Sequence, residues 1–141
     1  MIQRIQSVWL MIAAAITAAG CWLSFFSGNK VNATTQTKEW IEFTAPHNLL
    51  ILVLTVTIAV VALVTIFMYK DRKRQILVTF VNAIIAITNI ALYFNAKSMF
   101  VEANLDLGAL LGFATPVFLL LAIRAIYKDE QMVKSADRLR D

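Results

Sequence analysis

The chain has 141 residues, 60% of them hydrophobic and only 16% charged, with a mean hydropathy of +0.71. An ordinary soluble domain is roughly half apolar even with glycine counted, so a water-soluble fold of this size could not hide so much apolar surface. The net charge of +4 and pI near 9.5 would suggest nucleic acid in a soluble protein. Here the basic residues sit at the ends of apolar segments, which is a pattern of membrane topology and not of a nucleic-acid face.

The length fits one domain. Cys21 is the only cysteine and His47 the only histidine, so neither an intramolecular disulfide nor a Cys/His metal cluster can form within one chain. No cofactor, metal or catalytic residue is expected.

The first apolar run, residues 5–26, is about 33 Å long as a helix and is read as the first transmembrane span. Arg4 is a thin basic region, and the run exceeds the apolar core of a cleaved signal peptide. Ala18-Ala19-Gly20-Cys21 resembles a lipoprotein processing site, but Trp22 to Phe26 stays apolar where a mature lipoprotein turns polar. A small packing residue is therefore the favoured reading of Cys21.

Residues 27–45 form a polar connection with turn residues at Ser27-Gly28-Asn29 and β-prone Val31, Trp40, Ile41 and Phe43, which suits a short surface hairpin. Asn32-Ala33-Thr34 matches a glycosylation acceptor, a pattern common by chance. Pro46 suits the first turn of a second span over 46–69. Residues 70–74 form a basic turn, 75–95 a third span, 96–106 a second polar connection with Asp106 as helix cap, and 107–127 a fourth span. Residues 128–141 are a charged tail without a helix breaker.

Ten Lys and Arg residues fall on one side of these four spans, against three on the other. The topology anchors are Lys70, Arg72, Lys73 and Arg74 with Arg124 and Lys128, and the positive-inside rule then puts both termini in the cytoplasm. The expected fold is all-α: an integral membrane four-helix bundle, N-in and C-in, with a helical cytoplasmic C-terminal tail.

At about 100° per residue, polar and small residues of each span share a face. Gln6, Ala13, Thr17, Gly20 and Ser24 align in the first span; Thr55, Ala59, Ala62, Thr65 and Tyr69 in the second; Thr79, Asn82, Ala86, Asn89 and Tyr93 in the third; Gly108, Gly112, Thr115 and Ala122 in the fourth. Helices in lipid associate through close packing and interhelical hydrogen bonds, so Thr17, Thr55, Thr65, Thr79, Asn82 and Asn89 are expected to bond between helices. Asn82 and Asn89 could instead coordinate a solute. Gly108 and Gly112 permit close approach, and Pro116 is expected to kink the fourth span. Thr57, Thr88 and Asn95 fall off the stripes.

In the tail, Met132, Val133, Ala136 and Leu139 form an apolar strip if the segment is helical, and Glu130 with Lys134 gives an i,i+4 pair. Such a strip can meet a protein partner or an anionic membrane surface. No ionisable residue falls in mid-span, which argues against a proton- or sodium-coupled pump. A hydrolase built from Ser24, Ser27 or Ser98 with His47 and Asp106 or Glu102 lacks a nucleophile-elbow pattern.

The opening Met1-Ile-Gln-Arg-Ile-Gln-Ser-Val-Trp-Leu10, the turn Tyr69-Lys-Asp-Arg-Lys-Arg-Gln75 and the close Arg124 to Arg140 resemble an uncharacterised bacterial membrane-protein family, domain-of-unknown-function family 4293. The resemblance covers nearly the whole chain and implies four spans in a Gram-negative inner membrane. It implies no activity or cofactor. Two functions are weighed: an accessory or scaffold subunit contacting lipid, other membrane proteins or copies of itself, and a small channel, carrier or lipid-binding protein using Asn82, Asn89 and the Gly112 to Pro116 segment.

Overall fold

The computed structural model describes residues 3–31, 34–68, 70–98, 100 and 102–140. Asn32 and Ala33 of the acceptor pattern and Tyr69 of the second stripe lie outside them, as do the side chains of Arg4, His47 and Glu102. The chain is mostly helical: α1 (Gln3–Ala19), α2 (Leu49–Ile66), α3 (Arg72–Lys97) and α4 (Leu107–Arg140), with strands β1 (Phe26–Val31), β2 (Lys38–Phe43) and β3 (Glu102–Leu105). The helices pack in a ring, α1 against α2 and α4, and α3 against α2 and α4. Three of them, α2, α3 and α4, are long and apolar enough to cross a membrane.

The first span departs most from expectation. Helix α1 stops at Ala19 after 17 residues, about 26 Å, instead of running to residue 26. Its last turn tightens, with the Cys21 and Trp22 amides donating to Ala18 and Ala19 carbonyls three residues back. Beyond it the backbone finds partners far away in sequence. The Phe25 amide donates to the Phe43 carbonyl (2.9 Å), Asp106 to Phe25 (3.0 Å) and Gly108 to Ser24 (3.0 Å). Trp22 to Phe26 is apolar because Phe25 and Phe26 are buried by strands and helix ends, not because the helix continues.

The expected hairpin forms, β1 pairing antiparallel with β2 from Phe26 opposite Phe43 to Val31 opposite Lys38. Gln36, at φ 53°, helps turn the chain into β2. The all-α expectation is corrected by β3, which adds to the other edge of β1 and gives the sheet order β2-β1-β3. A four-residue strand in a connection carries too little alternation to be read locally; its partner supplies the reason to extend.

Helix boundaries also move. Pro46 lies in a short 3₁₀ turn, Ala45–His47, and α2 starts after Asn48, whose side chain accepts the Leu50 amide (3.0 Å). Arg72, Lys73 and Arg74 are not a loop but the first turn of α3, capped by Asp71, whose carboxylate accepts the Arg74 amide (3.3 Å). Three cations there oppose the helix dipole; Asp71 and the Arg72–Asp129 ion pair (3.1 Å) offset them. The fourth span and the tail are one helix of 34 residues running through Pro116.

Two apolar cores stack along the ring. One holds Leu10, Ala13, Ile58, Ala62, Ala83, Ala86, Leu119 and Ala122; the other, at the strand end, holds Phe25, Phe26, Ala45, Ile51, Tyr93, Ala96 and Ala109.

Candidate functional site

The polar side chains of the helices converge on two seams. Along α2 and α3, Gln75 Nε2 donates to the Thr65 carbonyl (3.0 Å), Asn82 Nδ2 to the Ile58 carbonyl (3.1 Å) and Asn89 Nδ2 to Thr55 Oγ1 (3.0 Å). The α3 partners climb by seven residues while the α2 partners descend, so the helices are antiparallel, and the near-heptad step keeps one face of α3 on α2. Asn82 is 1% exposed and Asn89 7%. All five residues of the α3 stripe are buried: Thr79, Asn82, Ala86, Asn89 and Tyr93.

The α1–α4 seam depends on closeness. Thr17 Oγ1 lies 3.2 Å from Thr115 Oγ1, and Trp9 stacks on Phe118 with centroids 5.8 Å apart. A Cβ on Gly108 would overlap the Ser24 carbonyl oxygen and come within 2.7 Å of its carbon; one on Gly112 would reach 2.8 Å from the Phe25 ring. The two glycines thus admit the segment after α1, whereas the expectation was a neighbouring helix.

Thr17, Thr55, Thr65, Thr79 and Thr115 donate their hydroxyl hydrogens to carbonyls four residues back, at 2.6–3.0 Å. The off-stripe Thr57, half-buried, and Thr88, exposed, do the same to Val53 and Ile84. A threonine so bonded carries no unpaired donor into lipid, which accounts for threonines outside the stripes.

Two buried polar groups were missed as site residues. Gln75 was read only as the start of a span; its seven-residue spacing from Asn82 is the signal that could have placed it on the stripe. Asp129, 5% exposed, lies in the segment expected as a charged tail but faces Arg72 of α3. Only proximity of the two helices identifies it.

At the charged end, Arg72 is partly buried by its pairing, while Lys70, Lys73, Arg74, Arg124 and Lys128 are exposed. Met132, Val133, Ala136 and Leu139 are exposed on α4, and Lys134 pairs with Glu130 (3.1 Å). Lys70, Lys73 and Lys134 border a cleft of about 240 Å³ with Asp71 and Glu130. At the strand end, Ser24 donates to Asp106 Oδ2 (2.8 Å), and Ser98 Oγ to the Asn95 carbonyl (2.6 Å). The Ser24 hydrogen thus goes directly to a carboxylate, a bond that ties the residue before α4 to the segment after α1. Cys21 is half-buried one turn beyond Thr17.

A cavity of about 30 Å³ lies among the four helices, lined by Thr17, Thr55, Asn89, Tyr93, Gly112 and Thr115 among others. That is room for one or two water molecules. No curated protein and no solved structure matches the chain. A family model described as Domain of unknown function (DUF4293) does match, over residues 2–139, and with nearly its whole length covered the chain belongs to that family.

Proposed function

We propose that this protein is a non-enzymatic accessory or scaffold subunit: a four-helix bundle in a bacterial inner membrane, both termini cytoplasmic, that presents its C-terminal helix to a partner in a larger assembly. The observation that carries the reading is the unbroken course of α4. Its 34 residues extend about 51 Å, against a hydrocarbon core of about 30 Å, so a long piece must stand clear of the lipid. From Gln131 to Arg140 every residue is exposed.

The opposite treatment of the interior supports the same reading. Asn82 and Asn89, the groups a carrier would use, donate to α2, and the cavity beside Asn89 is small, about 30 Å³. A solute path has no such support. The basic residues beside the α2–α3 turn and along the tail favour an anionic, cytoplasmic leaflet for this end. With α1 shorter than the others, the first crossing uses α1 together with the turn that follows it.

The test is recovery of partners from the native host. Full-length protein is extracted in mild detergent and its companions quantified, beside a variant carrying Met132→Ser, Val133→Ser and Leu139→Ser. A partner recovered with the natural chain and lost with the variant is expected. A lone monomer in both preparations, or equal recovery, would overturn the scaffold reading. A reporter fused after Arg74 checks orientation and is expected to be cytoplasmic.

A further inference from the structure

The hydrogen-bond accounting around the interhelical cavity does not close within the protein. Thr17, Thr55 and Thr115 each have one hydroxyl hydrogen, directed at the Ala13, Ile51 and Leu111 carbonyls at 2.7, 2.7 and 3.0 Å. The Thr17 and Thr115 oxygens also approach to 3.2 Å, where either hydroxyl can donate to the other, so the pair keeps lone pairs free to accept. Thr55 Oγ1 already accepts from Asn89 Nδ2 and engages Tyr93. Among the described residues Asn89 Oδ1 is buried without a partner, and Asn89 lines the cavity. Asn89 Oδ1 is therefore an acceptor still to be satisfied, beside a volume of about 30 Å³ whose threonine hydroxyls already direct their hydrogens elsewhere.

We infer that this cavity is a hydration site: a bound water donates one hydrogen to Asn89 Oδ1 and the other to the Thr17/Thr115 oxygen pair. The water links the polar groups of the α2–α3 seam to those of the α1–α4 seam. Its size follows from the cavity, since a water needs about 10–15 Å³ of such space and at least two polar partners. A monovalent cation would also accept oxygen ligands, but no carboxylate among the described residues lines the cavity, and an uncompensated buried charge is far costlier than a neutral guest. Turning the Asn89 amide over would offer an N–H₂ in place of the oxygen. Water satisfies either face and a cation only one. The inference is independent of whether the tail has a partner.

The experiment uses the full chain in lipid nanodiscs with ¹⁵N-labelled asparagine, reading dipolar transfer from water to the side-chain amides with a sign that separates it from exchange. A cross-peak is expected at Asn89 and not at Asn82, which does not line this cavity. Ala86→Val fills the cavity, and the cross-peak should fall at least fivefold; if that variant does not fold, the isosteric Thr17→Val should weaken it at least twofold. Replacing sodium chloride with choline chloride should leave the Asn89 resonances in place. No cross-peak at Asn89, a cross-peak unchanged in the folded variant, or Asn89 resonances that follow sodium would each overturn the assignment, the last in favour of a cation.

Discussion

The two ends of the helix ring are built on different physics. At the strand end, Phe25 stacks on Tyr93 with centroids 4.0 Å apart, Phe26 on Phe43 at 4.9 Å, and backbone amides from three separate parts of the chain meet. At the charged end, Asp71 caps α3 and one partly buried ion pair joins α3 to α4, after which α4 leaves its neighbours. One end is closed by packing that tolerates little change. The other is open and joined by charges that solvent can screen.

The largest effect should come from the packed end. Phe25→Ala removes a ring that is 2% exposed and touches Phe26, Tyr93, Phe94 and Phe113. Emptying an aromatic site of this kind costs about 3–5 kcal/mol, read as a fall in the unfolding midpoint of the protein in mild detergent. A change below about 1 kcal/mol would mean that the two ends do not differ as described. Gly108→Ala tests the same end through the backbone. The added methyl overlaps the Ser24 carbonyl, and because neither partner is a flexible side chain, about 1–3 kcal/mol should be lost.

A smaller loss is expected at the charged end. Asp129→Asn leaves Arg72 without its counter-ion, but the Arg72 side chain is 21% exposed, so water replaces part of the interaction and about 1 kcal/mol is at stake. Changing both partners together to apolar residues should restore most of it. If Asp129→Asn cost as much as Phe25→Ala, the charged end would have to be counted as a second closed core.

The same contrast decides what was legible in the sequence. Helix periodicity is local, so the stripe of Thr79, Asn82, Ala86, Asn89 and Tyr93 can be read from spacing alone, and all five are buried. Charge at segment ends is local too, although Arg72 to Arg74 form the first turn of α3 behind its Asp71 cap and not a loop. What could not be read was anything whose reason lies far along the chain. Strand β3 extends because β1 is there, α1 stops because Ser24 and Phe25 have partners at Asp106, Gly108 and Phe43, and Asp129 is buried because Arg72 faces it. An apolar run such as Trp22 to Phe26 looks the same to a hydropathy count whether lipid or a neighbouring ring covers it.

The smallest stability effect belongs to the end of α4. Leu139 is 89% exposed and makes no contact with either core, so Leu139→Ser removes no buried surface from the monomer. Stability should stay within about 0.5 kcal/mol, and the serine adds only a modest helix-propensity penalty near a helix end that is already exposed. If the strip is a docking face, however, the same change strips an apolar anchor from an interface, where a single well-seated residue can contribute 2 kcal/mol or roughly more. Unfolding and partner recovery should therefore separate: an unchanged midpoint together with recovery reduced severalfold. Were recovery unchanged, the exposed strip would have no docking role; were the midpoint to fall, α4 would have to fold back on the bundle, and the open end would not be open.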